Sequence, residues 1–257
     1  MSRVLSLGVR IGLCEGVLMS LKDKVVVVTG ATGALGRVVV KTFLDGGAHV
    51  VSTYRSEQRL KELEDFLGET KGNFSSVQAD SLDEVSLLSL FQKVIQQQGR
   101  VDVLLNIVGG YKGGADIVDT AVSDWDHMMD LNLKSVFLCS KAALPYMMKQ
   151  NYGKIVNVAS RTAVEKRYRS KNGAYAVSKA GVIVLTETLA EEVRKYDINV
   201  NCVMPSTIDT PENRRNLAGA DSSKWVKPEH IAKVLVFLSS DDSRTINGAC
   251  VPVYGKA

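Results

Sequence analysis

Apolar residues fall along the chain in short dense runs separated by longer stretches of helical period. The runs Lys24–Thr29, Ala48–Thr53, Phe74–Ala79, Val101–Asn106, Lys154–Ala159, Ile198–Met204 and Cys250–Val253 are rich in Val, Ile and Leu and predict strands. Several are continuous rather than alternating, as expected where a parallel sheet is covered on both faces. The stretches between them carry helix signals. Ser81-Leu-Asp-Glu84 reads as a capping box with Gly99 as its stop, and Ser123-x-x-Asp126 opens the next helix. Gly46-Gly47 closes the first helix, and Pro228 suits the first turn of the last. This alternation implies right-handed crossovers and an α/β fold built on a doubly wound parallel sheet. No repeat, low-complexity tract or linker splits off a second domain, so residues 19–257 are expected to form one domain.

Met1–Leu18 reads differently, with Arg3, Arg10, a single acid at Glu15 and many small aliphatic residues. It is expected to be an extension outside a fold that begins near Met19, with an arginine-bearing targeting leader as the alternative.

Composition narrows the function classes. Of the 257 residues 45% are apolar and 23% charged, without the apolar depletion of a disordered chain. The 32 Lys and Arg exceed the 28 Asp and Glu by a formal charge of only +4. With no aromatic interleaving of basic residues, a nucleic-acid partner is not expected. No apolar run approaches the roughly 20 residues of a membrane span, and a cytoplasmic location is expected. Cys14, Cys139, Cys202 and Cys250 lie far apart without metal-ligand spacing, and three fall in apolar segments. Reduced, buried thiols fit that pattern better than a disulfide framework. His49, His127 and His230 are equally scattered, so no metal site is expected.

The segment Val25–Gly36 is a buried strand, a glycine-rich turn (Gly30, Thr32, Gly33, Leu35, Gly36) and a helix start. Glycines let backbone approach a pyrophosphate, and a helix N-terminus offers it unpaired N–H groups, so this is a candidate dinucleotide site of Rossmann type. Past the second strand, where an acid would favour NAD, the chain reads Thr53-Tyr54-Arg55. Arg55 is a candidate partner for the 2′-phosphate of NADP, with NAD, and Arg55 as a solvated helix-start residue, as alternatives. Tyr175 and Lys179 stand four apart on one helical face. A phenol titrates near pH 10, and a neighbouring ammonium is expected to lower it enough to serve as a general acid for a carbonyl under reduction.

With these motifs in order, the sequence resembles the short-chain dehydrogenases/reductases from Leu21 to Gly255. The resemblance implies that Thr29–Gly36 is the cofactor loop, that Asp80 contacts adenine, and that Asn106–Gly109 follows the fourth strand against the cofactor. It makes Asn132, Ser160, Tyr175 and Lys179 the catalytic set. Tyr175 would protonate the carbonyl oxygen, and Ser160 would hydrogen-bond that oxygen as charge develops. Lys179 would also hold the nicotinamide ribose, and Asn132 would hold a relay water. Pro205, Ile208 and Thr210 would position carboxamide and phosphate. The chain departs from the family pattern at Ala34, at Ile107-Val108, at Ser206 and in the 15-residue step from Ser160 to Tyr175, none of which removes a proton-transfer group.

The stretches Val108–Gly114 and Ile208–Trp225 are similar to segments of dihydropteridine reductases, which typically lack the serine and prefer NADH. Ser160 and Arg55 point instead to NADPH-dependent reduction of a 3-oxoacyl thioester or related ketone. Pterin reduction and a non-catalytic dinucleotide sensor are the alternatives. The run Arg161, Lys166, Arg167, Arg169, Lys171, with Arg214 and Arg215, would draw an anionic or carrier-bound small-molecule substrate, or else serve only as a solvated rim. Trp225 is read as a packing residue within reach of substrate. The family resemblance implies a homodimer or homotetramer.

Overall fold

A computed structural model describes residues 21–256, apart from the side chains of residues 70 and 71. The expectations for Met1–Leu18, Met19 and Cys14 lie outside the described residues. Seven strands form where apolar runs predict them: β1 (Val25–Thr29), β2 (His49–Tyr54), β3 (Phe74–Gln78), β4 (Val103–Asn106), β5 (Gly153–Val158), β6 (Ile198–Pro205) and β7 (Cys250–Val253). All pair in parallel, in the order β3-β2-β1-β4-β5-β6-β7. The order reverses between β1 and β4, which opens a crevice at the carboxyl ends of the strands.

The continuous apolar runs are explained by two cores, one on each face. Val26, Val28, Val103, Leu105 and Val156 pack beneath α1 (Ala34–Asp45) and α8 (Pro228–Ser239). Their neighbours Val25, Val27, Leu104 and Ile155 point the other way, toward α3 (Glu84–Gln98), α5 (Ser135–Gln150) and α6 (Gly173–Glu192). The period of two along each strand thus sends alternate side chains into different cores, both dry. Helices α2 (Glu57–Leu67), α4 (Val122–Met129) and α7 (Pro211–Asn216) complete the set.

Two helix starts differ from the sequence reading. The cap of α3 is Asp83, whose carboxylate accepts from Val85 N at 2.9 Å, rather than Ser81. Asp80 ties up the intervening residues, accepting from Leu82 N on its side chain and from Asp83 N on its carbonyl, so the helix starts later and Ser81 is buried. Helix α4 starts at Val122 behind Ala121 with no side-chain cap, leaving Ser123 inside it. It continues into a π turn at Asp130–Lys134 and then α5, so residues 122–150 run almost without a break. Gly99 in the left-handed region and Pro228 in the first turn of α8 act as read from the sequence. Among the described residues no helix is long and apolar enough to cross a membrane.

Candidate active site

The crevice is a cleft of about 950 Å³ running from the Gly30–Gly36 turn to the loop after β6. Its floor depends on glycine. Gly30 adopts φ +70°, and a Cβ there would sit 2.7 Å from Val108 N. At Gly36 a Cβ would collide with the Gly30 carbonyl. Gly33 caps α1 with no side-chain hydrogen bond, and the first turn carries no acid. The helix therefore presents backbone N–H groups and positive dipole charge to the cleft. Ala34 causes no difficulty because it is already the first helical residue. Thr29 ties the turn to the next strand: its hydroxyl donates to Leu105 O (3.3 Å) and accepts from Ile107 N (3.2 Å).

Thr32, Leu35, Arg55, Asp80, Gly109, Pro205, Ile208 and Thr210 all line this cleft. Arg55 is exposed just past β2, and the acid two residues on, Glu57, accepts from the Tyr54 hydroxyl. Thr210 caps α7 through Asn213 N, and Asn213 reaches back to Ile208 O. Asn106 departs from its expected place. Its side chain is buried, donating to Ser140 Oγ (3.2 Å) and Asn157 Oδ1 (2.8 Å), so it ties the sheet to α5 rather than walling the cleft. The Asn132 side chain is also occupied by protein. It accepts from Gly110 N and donates to Gly110 O and Ser178 Oγ, fixing the glycine-rich arm over the π turn.

Ser160 and Tyr175 meet despite the long step between them, because the intervening chain folds into tight turns at Arg161–Ala163 and Lys166–Tyr168. Ser160 Oγ accepts from Thr162 N at 3.2 Å and lines the cleft beside Tyr175, near enough for its hydroxyl to bear on the phenol. Lys179, one helical turn further on, is buried and donates to Val158 O at 2.7 Å. A Cβ at Gly109 would stand 3.1 Å from Lys179 Nζ and 2.9 Å from Asn132 Oδ1, so a side chain there would displace these two polar ends. Burial lowers the Lys179 ammonium to about 8. Burial also raises the Tyr175 phenol, against a smaller lowering by the Ser160 hydroxyl. The expected lowering of the phenol by the ammonium is thus not what sets its titration in this structure: withdrawal from water does, and Lys179 is not among the groups that act on the phenol.

The basic run splits up. Arg167 pairs with Glu165, Arg169 bonds the carbonyls of Ala163 and Val164, and Arg214 is bidentate on Asp209. Of the basic residues of 161–171 Arg161 alone lines the cleft, its guanidinium against the rings of Tyr168 (4.1 Å) and Tyr254 (5.3 Å). Trp225 is half-buried away from the cleft walls. Sequence reasoning passed over Tyr111, whose ring stands edge-on to Tyr175 at 5.2 Å and whose hydroxyl donates to Asn172. The Gly-Gly-Tyr-Lys-Gly-Gly spacing was the available signal, since such a mobile-looking arm carrying one aromatic has to lay it on something.

A short chain dehydrogenase family model matches residues 24–220. The 3-oxoacyl-[acyl-carrier-protein] reductase of Thermotoga maritima is 34% identical over 245 residues, covering 92% of this chain and 98% of that protein. The chain belongs to the short-chain dehydrogenase/reductase family. As such it is an NAD(P)-dependent oxidoreductase. Another member, the meso-2,3-butanediol dehydrogenase of Serratia marcescens, is 32% identical over 93% of this chain and 96% of its own. The solved structure of ElxO with NADP bound superposes with a TM-score of 0.86 at 27% identity, covering 91% of this chain and 98% of that one. The parallel sheet, glycine turn and Ser–Tyr–Lys cluster of this short-chain dehydrogenase/reductase thus have relatives of nearly the same length throughout.

Proposed function

We propose that the protein is an NADP(H)-dependent reductase that converts a ketone, of the 3-oxoacyl class or a close relative, to an alcohol, with Tyr175 as the general acid. The observation that carries this reading is the convergence of Ser160, Tyr175 and Lys179 on the wall of one cleft that begins at the glycine turn. The cleft fits the dinucleotide: Gly30 and Gly36 leave backbone where a Cβ would intrude, and the start of α1 is uncapped and free of acids. Gly33, Leu35 and Gly36 would hold the pyrophosphate, Arg55 the 2′-phosphate, Asp80 the adenine, and Gly109 and Lys179 the nicotinamide ribose. Pro205, Ile208 and Thr210 would close over the carboxamide side. The NADP named in the ElxO structure, and the substrate named for the Thermotoga reductase, support the same assignment.

When bound, NADPH supplies hydride to the carbonyl carbon. Ser160 and Tyr175 would both donate to the carbonyl oxygen, the serine held in line by Thr162 N. The raised phenol stays protonated at neutral pH, as an acid must until the oxygen becomes a strong base. Lys179, still mostly charged at neutral pH, would then steady the phenolate. Asn132 would serve by anchoring Gly110, which keeps the arm carrying Tyr111 over the reacting centre. Exposed Phe137 on α5, with Val177 and Val184 on α6, supports assembly into a homo-oligomer.

The test is NADPH oxidation with a 3-oxoacyl thioester and with quinonoid dihydropterin in parallel. Thioester turnover is expected, falling about 10³-fold in Tyr175→Phe with NADPH binding unchanged. Turnover of the pterin alone would refute the carbonyl assignment.

A further inference from the structure

Two cysteines 48 positions apart in the sequence are brought side by side by the sheet. In the parallel ladder of β6 with β7, Cys202 is the register partner of Cys250. Registered neighbours in a parallel pair point to the same face, about 4.8 Å apart, inside the Cα separations that disulfides span. Both side chains enter the small cluster formed with Ala159, Val182 and Met204. The register leaves the two thiols as direct neighbours that bear on each other's titration. The neighbouring Cys202 thiol holds Cys250 below the ordinary thiol range, whereas Cys202 itself is pushed well above it. The exposures differ in the useful sense: Cys202 is fully buried, and Cys250, on the strand at the edge of the sheet, is partly open to solvent.

We propose that Cys202 and Cys250 form a peroxide-oxidisable dithiol that closes to a disulfide across β6 and β7. The Cys250 thiolate attacks one peroxide oxygen, the O–O bond breaks, and the departing hydroxide leaves as water after taking a proton. The Cys202 sulfur then attacks the sulfenic sulfur of Cys250 and the S–O bond breaks. The released hydroxide takes the Cys202 proton, so two thiols lose two electrons and hydrogen peroxide becomes two waters. Cys250 is the entry point because it is the accessible, thiolate-favoured member; Cys202 resolves it because the register leaves it nowhere else to point. β6 runs directly into the cleft at Pro205, and the residue after β7 reaches the cleft-lining residues Ser206 and Arg161. Residue 205 ends β6, and Tyr254 follows β7, accepting from Ser206 Oγ through its carbonyl at 2.7 Å and facing Arg161 with its ring.

The full-length protein treated with hydrogen peroxide, alkylated and digested, is read by peptide mass. The expected product is a Cys202–Cys250 linked peptide, lost on dithiothreitol treatment and absent from Cys250→Ser, in which Cys202 stays a thiol. Cys139, buried and pushed up to about 12, should stay reduced throughout and serves as the internal reference. The proposal is overturned if both thiols survive peroxide, if Cys250 stops at sulfenic or sulfinic acid beside a reduced Cys202, or if either pairs with a different cysteine.

Discussion

Two lysines are buried almost equally at opposite ends of the sheet, Lys154 at 1% exposure and Lys179 at 5%, and their surroundings differ in kind. At the amino end burial lowers the Lys154 ammonium too, but it donates to Asn199 Oδ1, lies over the Tyr152 ring, and is supported by the carboxylates of Asp241 and Asp197, which oppose that lowering. Acids and acceptors surround its neighbours too. Arg100 is bidentate on buried Asp102, which also accepts from Val25 N, and Tyr152 bridges Lys24 and Asp241. At the carboxyl end, Lys179 bonds the Val158 carbonyl, and no carboxylate among the described residues favours its charge. A buried cation without an acid holds its proton loosely, which is a poor arrangement for stability and a useful one beside a proton donor. The amino end uses charge to lock strands; the carboxyl end keeps charge available for chemistry.

The sharpest way to break that contrast is to replace each lysine with methionine. Lys179→Met is expected to lower kcat by about 10³-fold, roughly 4 kcal/mol of barrier, without loss of fold. Lys154→Met is expected to leave kcat and KM alone and to cost about 2 kcal/mol in urea unfolding, because Asn199 Oδ1 and the two carboxylates lose their cation. Stability lost equally in both variants would mean that the two ends do not differ in the way described.

The same contrast holds for two arginines, with a smaller effect. Arg100 is fastened to Asp102, whereas Arg55 is exposed on the cleft wall and makes no ion pair with any of the described residues. A charge-assisted hydrogen bond to phosphate contributes about 1.5 kcal/mol at an exposed site, so Arg55→Ala should raise KM for NADPH about tenfold and leave KM for NADH unchanged. Equal effects on both cofactors would remove Arg55 from the 2′-phosphate role.

What could be read in the sequence follows from locality. The Gly30–Gly36 turn is legible because its requirement is local backbone shape, and Tyr175 with Lys179 because four residues of helix fix their relation. The strands are legible because both faces are dry. The start of α3 was misread because Ser81 and Asp83 both qualify as caps, and only the turn made by Asp80 decides between them. Asn106 looked like a cofactor residue by position, but its rotation into the sheet is set by Ser140 and Asn157, which are remote in sequence. The Arg161–Tyr168–Tyr254 stack, the Lys154 cluster and the Cys202–Cys250 pair are products of strand register, and no spacing in one chain announces them.

The smallest effect tests the contrast without kinetics. Lys179 titrates near 10.5 when unfolded and at about 8 when folded, so between those values the unfolded chain binds more protons than the native one. Stability contributed by this group must therefore rise with pH across that window. Below it both states are charged and the full burial penalty applies; above it neither is charged and the penalty is gone. Tyr175 acts in the opposite direction, since its phenol is raised above 10 in the fold and costs stability once the unfolded phenol ionises, so the comparison is best read below pH 10. Relative to Lys179→Met, the native protein should gain on the order of 1–3 kcal/mol between pH 8 and 10, the range allowing for relaxation around the buried ammonium. Urea unfolding of both proteins across that range gives the difference directly. A difference that stays flat would mean that the ammonium is solvated in the native state, and that Lys179 is no looser a proton holder than Lys154.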